Sequence, residues 1–176
     1  MTTATPRPVT PLPRPPHPPG PLPLLVRTAE SGDAAALAAL SEPFVRSGAL
    51  RERPSAVYAA RAADFFVAEA SDGTLEGCLA LGVHADAVRE GSASGVLYNF
   101  CVARHRQGSG LGARLLGAAL TGARARSLVA LFTATTGSGR LFLRYGFAPA
   151  PASAAPASWA RTLDSGRGAQ ILARAL

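Results

Sequence analysis

Glycines 108, 110 and 112 stand behind the apolar run VLYNFCV, residues 96–102, and interleave with the start of an apolar helical pattern that opens at Leu111. A strand that passes into a helix through such a segment leaves the first amides of the helix unpaired and pointing outward, with the positive end of the helix dipole behind them. Glycine removes the β-carbons that would hold a bulky anion off those amides, and it tolerates the positive φ that the turn requires. The segment RHRQGSGLGARLL, 104–116, therefore points to a layered α/β architecture with an anion-binding loop between a central strand and the longest helix.

The flanking residues separate three kinds of phosphate loop. A P-loop needs a lysine followed by Ser or Thr, and all 18 basic residues of this chain are arginine. GSGLGA, 108–113, fits the dinucleotide pattern GxGxxA, but that fold wants an acidic residue about 20 positions later. None occurs between Glu90 and Asp164. The pattern (Gln/Arg)xxGx(Gly/Ala), which grips the pyrophosphate of coenzyme A, is matched in full by Gln107, Gly110 and Gly112.

Around this loop the pattern predicts a strand at 24–29, then a helix from Ser31 with Ser31 or Asp33 available as its cap. Pro54 opens a second helix to about Arg61. Two strands joined at Asp72 and Gly73 follow, a hairpin signal, and then the run from Val96. Beyond the loop come a helix to about Arg126, a strand at 128–135, a short helix from Arg140 to Tyr145, and strands near Phe147 and Ile171. The order β α α β β β α β α β is that of a single α/β (α+β) domain over 23–176. Ten of the 15 prolines fall in the first 23 residues, so 1–22 read as a disordered Pro-rich tail, with a ligand for a proline-reading module as the alternative.

The net charge of +7 comes from scattered arginines, with neither a long basic run nor aromatic interleaving, which argues against nucleic acid as a partner. No apolar run approaches the roughly 20 residues of a membrane span, and no secretory signal layout opens the chain. Cys78 and Cys101 lie in apolar, strand-like runs without metal-ligand spacing to the three histidines. They read as buried thiols in a reducing compartment, in a cytoplasmic protein that holds no metal.

VARHRQGSGLGARLL, 102–116, resembles the core motif of the GNAT family of acyl-CoA-dependent N-acyltransferases. RLFLRYGF, 140–147, resembles the family helix written FYxxxGF, and the element order is similar from about Leu24 to Phe147. The resemblance implies a GNAT fold: a mixed, mostly antiparallel central sheet whose fourth and fifth strands splay, flanked by helices. It implies acetyl-CoA as co-substrate and direct transfer of acetyl to a neutral amine. Gln107, Gly108, Ser109, Gly110, Leu111 and Gly112 would then hold the coenzyme together with Phe142, and the pantetheine arm would lie along Phe100, Cys101 and Val102. A backbone amide near Cys101 and Val102 would meet the oxyanion. Two family features are missing. The tyrosine that protonates the leaving thiolate is replaced by Phe142, and the acidic residue early in the fourth strand by Val96. Tyr98 and His84 are the remaining acid–base candidates, while Tyr145, three residues past Phe142, reads as a packing residue.

FTATTGSGRLFLRYGF, 132–147, resembles the pattern LTTxSxHWFxxxGF of the acetyltransferase domain of N-acetylglutamate synthases, with Thr135, Thr136, Ser138 and Phe142 in matching places. Residues 41–58 resemble the same branch between its first helix and second strand, which would set Arg53 against a substrate's side-chain carboxylate. SGRGAQIL, 165–172, is similar to the branch ending RxSKVL, which would place Arg167 on the α-carboxylate, although Ala169 and Gln170 replace the serine and lysine. Arginine forks pair with carboxylates through two hydrogen bonds and so orient an amino acid. With Thr135, these arginines make the implied substrate set. The resemblance thus implies acetylation of the α-amine of a small amino acid, glutamate leading, in arginine biosynthesis. Open beside it stand a GNAT enzyme for another small amine, such as an antibiotic or toxic amino acid analogue, and a non-catalytic acyl-CoA-binding regulatory module. A small-molecule amine is the expected partner, and a homodimer is allowed.

Overall fold

Strands form at β1 Leu25–Thr28, β2 Phe65–Glu69, β3 Leu75–Ala85, β4 Ala93–Val102, β5 Ala130–Thr135, β6 Ala148–Pro149 and β7 Gln170–Ala175. The computed structural model describes residues 24–85 and 91–176, so the expected tail at 1–22 lies outside the described residues. The strands make one sheet in the order β1-β2-β3-β4-β5-β7-β6. Every neighbouring pair is antiparallel except β4 and β5. The helices are α1 Ala34–Arg46, α2 Ser55–Ala60, α3 Leu111–Ala125, α4 Arg140–Arg144 and α5 Ala157–Ala160.

Period-two alternation in the strands divides the core between two faces. Leu79, Leu81, Leu97, Leu131 and Leu172 pack with α3, which buries Leu111, Leu115, Leu116, Ala119, Leu120 and Ala123 along one helical stripe. On the opposite face Leu37 of α1 and Tyr58 of α2 cover Phe65, Val67, Cys78 and Ala80. Further along that face, Trp159 of α5 packs over Val96, Phe132 and Ala155. Between these two covers a cavity opens over β4 and β5, lined by α2 and α5 residues alike.

Several boundaries differ from the expectations. A 3-10 turn at Ser31–Asp33 precedes α1, and neither Ser31 nor Asp33 caps that helix through its side chain. Asp33 instead accepts the Glu30 amide at 2.8 Å and pairs with Arg27 at 2.7 Å, tying β1 to the helix start. Pro54 stands just before α2 in an extended conformation rather than inside it. The helix α5 was not expected.

At its centre β4 breaks step. Leu97 and Phe100, three residues apart, both face the α3 side, whereas Tyr98 and Cys101 face the other. Such a phase change needs an extra residue, and the register supplies it: Ala80 faces Tyr98 and Cys78 faces Cys101, so Leu79 alone stands opposite Asn99 and Phe100. Asn99 takes the left-handed conformation, φ 49, which asparagine tolerates better than most residues. Just before this bulge the parallel pairing with β5 ends at Leu97 and Thr133. Thereafter β5 keeps to β7, and among the described residues β4 pairs with it no further.

Candidate functional site

A groove of about 270 Å³ opens where β4 runs into the glycine loop, and it brings together Phe100, Cys101, Val102, Gln107, Gly108 and Gly112. The loop ends at Gly110, which caps α3 with φ 85, and Gly108 has φ 79. A β-carbon added at either position would meet nothing within 4 Å, so both glycines border open space. Among the described residues, the amides of Gly108, Gly110, Leu111, Gly112 and Ala113 find no main-chain acceptor. These unpaired donors at the N-terminus of a 15-residue helix suit an anion the size of a pyrophosphate.

The remaining loop residues hold its shape. The Gln107 side-chain Nε2 donates to the Val102 carbonyl at 3.2 Å, and the Ser109 hydroxyl donates to the Arg106 carbonyl at 2.6 Å. The Leu111 side chain is buried in the core beneath α3, which leaves its amide as the part that faces a ligand. Behind the loop, buried Glu76 of β3 lies 2.7 Å from His105 and 3.6 Å from Arg106, an anchor the sequence reading missed although a lone acid inside an apolar run signals one.

The second cavity, about 620 Å³, lies on the opposite side of the splayed edge and collects Arg53, His84, Tyr98, Thr135, Phe142 and Arg167. Phe100 lines both spaces and meets Phe142 edge-on with ring centroids 5.7 Å apart, so the two cavities share an aromatic wall. Phe142 also stacks edge-on against Phe147 and is buried. Tyr145 packs against the core with its hydroxyl 3.5 Å from the Ala113 carbonyl.

Three titratable groups of this cavity are shifted by their surroundings. The Tyr98 phenol donates to Asp64 at 2.9 Å; burial first and the neighbouring carboxylate second push its pKa up, which keeps it protonated. His84 hydrogen-bonds Ser158 of α5 through Nδ1 at 3.0 Å, and burial, helped by the Arg61 cation, pulls its pKa down, so the ring is neutral at pH 7. Burial also lowers the pKa of Arg53. The Arg53 guanidinium lies 5.1 Å from the centre of the Tyr98 ring. Arg167 and Arg51 are engaged on carbonyls, Arg167 on Gly48 and Arg51 on Thr162, so they clip the loop after α1 to the segment after α5. Thr135 accepts the Gly137 amide at 3.1 Å.

Cys78 and Cys101 are free, buried and directly opposed, with sulfurs 3.4 Å apart. The hydrogen bond to Cys101 and full burial hold the Cys78 thiol above its ordinary pKa. Among the described residues no group of three or more His, Cys, Asp or Glu could hold a metal ion, and no helix is long and apolar enough to cross a membrane.

Residues 61–149 match the family described as acetyltransferase (GNAT) domain. The amino-acid acetyltransferase of Neisseria meningitidis serogroup A is 32% identical over 152 residues, covering 86% of this chain and 34% of the relative. This chain thus spans about a third of the length of the curated relatives it matches. Among solved structures, the N-acetylglutamate synthase from Neisseria gonorrhoeae complexed with coenzyme A and N-acetyl-glutamate superposes with a TM-score of 0.77 at 30% identity, over 87% of this chain and 35% of that one. A Mycobacterium tuberculosis protein in complex with CoA and NLQ shares the fold at a TM-score of 0.71 and 23% identity, over 86% and 99%.

Proposed function

Because the chain belongs to the GNAT acetyltransferase family, we propose that it transfers acetyl from acetyl-CoA to the α-amine of a small amino acid, with glutamate as the leading acceptor. The observation that carries this reading is the junction of two cavities at the splayed edge of β4: a glycine-loop groove suited to a pyrophosphate, and an arginine-bearing cavity suited to a carboxylate.

The empty space over Gly108 and Gly110, together with the unpaired amides beside it, fits the diphosphate of the coenzyme. When bound, acetyl-CoA supplies the activated thioester. The chain's own residues do the rest. Gln107 and Ser109 hold the loop's shape, and Phe100, Cys101 and Val102 line the path of the pantetheine arm. Beyond Leu97 the edge of β4 freed from β5 offers main-chain polar groups at the junction, where an amide near Cys101 and Val102 would meet the carbonyl oxygen. Arg53 draws a carboxylate into the acceptor cavity. His84, neutral at pH 7, lies on the wall of that cavity and is the base assigned to the amine proton in this reading. Tyr98, with its proton committed to Asp64, does not serve as the acid.

Release of free coenzyme A thiol from acetyl-CoA, measured at pH 7 to 9 with glutamate and a panel of other amino acids, tests the reading. Turnover with glutamate above the other acceptors is expected. Coenzyme binding without turnover on any amino acid would favour the non-catalytic acyl-CoA module.

A further inference from the structure

Arg53 is a half-buried cation without an ion-pair partner among the described residues. Its Nη1 donates to Asn99 Oδ1 at 3.1 Å and to the Arg51 carbonyl at 3.3 Å. Nε and Nη2 make no hydrogen bond among the described residues, and the side chain lines the acceptor cavity. Those two nitrogens form the side of the guanidinium that takes a carboxylate in two parallel hydrogen bonds.

Asn99 itself is held on every side. Its exposure is 3%, and it is the extra residue of the β4 bulge, in the left-handed conformation. Nδ2 donates to Ser41 of α1 at 2.9 Å, while Oδ1 also receives the Tyr58 hydroxyl of α2 at 3.5 Å. Because Arg53 only donates, this network fixes which end of the carboxamide faces it. A regular strand would have turned residue 99 toward α3. The bulge therefore puts a neutral acceptor beside Arg53, where an aspartate would have neutralised the cation.

We propose that Asn99 is a positioning residue for acceptor recognition: it fixes one nitrogen of Arg53 without consuming its charge, so that the opposite edge of the guanidinium meets the acceptor's side-chain carboxylate. This rests on the reading of the larger cavity as the site of an anionic amino acid. A neutral partner aims the cation and leaves its charge for the substrate, which a buried carboxylate in the same place would not do.

The experiment compares Asn99→Gly, Asn99→Asp and Arg53→Gln by KM for glutamate, glutamine and acetyl-CoA, with thermal melts of each protein. Glycine keeps the left-handed backbone and removes the carboxamide; aspartate keeps the shape and can accept hydrogen bonds from Arg53 and the Ser41 hydroxyl. The glutamate KM should rise roughly tenfold in Asn99→Gly, the worth of one hydrogen bond to a charged group. It should rise further in Asn99→Asp, with glutamine and acetyl-CoA KM held and the melting temperature of Asn99→Asp near the parent's. A merely structural role gives the opposite order, Asn99→Asp being the milder change. That order, or equal shifts for all three substrates, overturns the proposal. If Arg53→Gln raises the glutamate KM while both Asn99 variants leave it unchanged, the proposal falls and the acceptor site stands. If Arg53→Gln also leaves it unchanged, both fall.

Discussion

Replacing Gly110 with valine separates the loop's two roles, because the cost to the fold and the cost to the coenzyme arise from different atoms. Gly110 has φ 85, and a β-carbon there meets no atom within 4 Å, so the fold bears backbone strain and no collision. Left-handed backbone costs an L-residue about 1–2 kcal/mol, which for a domain of this size lowers Tm by about 2–8 °C. Gly73, in the β2–β3 turn, has the same φ of 85 and only the end of the Glu69 side chain nearby, at 3.8 Å. Gly73→Val should therefore melt like Gly110→Val. Coenzyme A binding should differ: a side chain at 110 fills the space in which the anion would approach the amides of Gly110 to Ala113. Losing one hydrogen bond to a charged group is worth about 1.5–3 kcal/mol, a weakening of roughly tenfold to a hundredfold in Gly110→Val alone. Calorimetric titration with coenzyme A beside thermal melts reads both quantities. Equal affinity in the two variants would refute the assignment of the loop, and a Gly110→Val protein that melts at the parent's temperature would refute the strain argument.

Phe142→Tyr returns a phenol to the wall shared by the two cavities, and kcat should rise about tenfold, at or below the low end of general-acid effects. An unchanged kcat with coenzyme affinity intact would show that thiolate protonation does not limit turnover. His84 has a folded pKa below its ordinary value, so between the two values the unfolded chain binds more protons. Its contribution to stability is present above about pH 6.5 and is lost as pH falls through the folded value. His84→Gln should accordingly flatten the loss of stability between pH 7 and pH 5, as read by denaturant titration, and an unaltered slope would remove His84 from that balance.

The donor half of the molecule was legible because its signals are local. The apolar run VLYNFCV, the glycines behind it and the 3.6-residue apolar stripe of α3 all lie within about thirty residues of chain. The bulge was not read, since a continuous apolar run does not display the phase change between Leu97 and Phe100. Its one outward sign was an asparagine inside that run. The acceptor half depends on contacts that pattern reading does not reach. PASAAPASWARTLD has no period long enough to announce α5, which is held by Trp159 against the sheet. The carbonyl partners of Arg51 and Arg167 lie 111 and 119 residues away in sequence. The two arginines of the carboxylate reading are each tethered through one nitrogen, Arg53 through Nη1 to Asn99 and the Arg51 carbonyl, and Arg167 through Nη2 to the Gly48 carbonyl.

Those two long-range clips have an evolutionary consequence. The roof over the acceptor is assembled from 47–54 and 157–168, and neither stretch supplies the glycine loop or α3. Substitutions in the roof can accumulate while the half that reads the thioester donor stays fixed. On the proposed reading, exchange of these two short peptides would transplant acceptor preference between chains of this fold and leave the donor machinery as inherited.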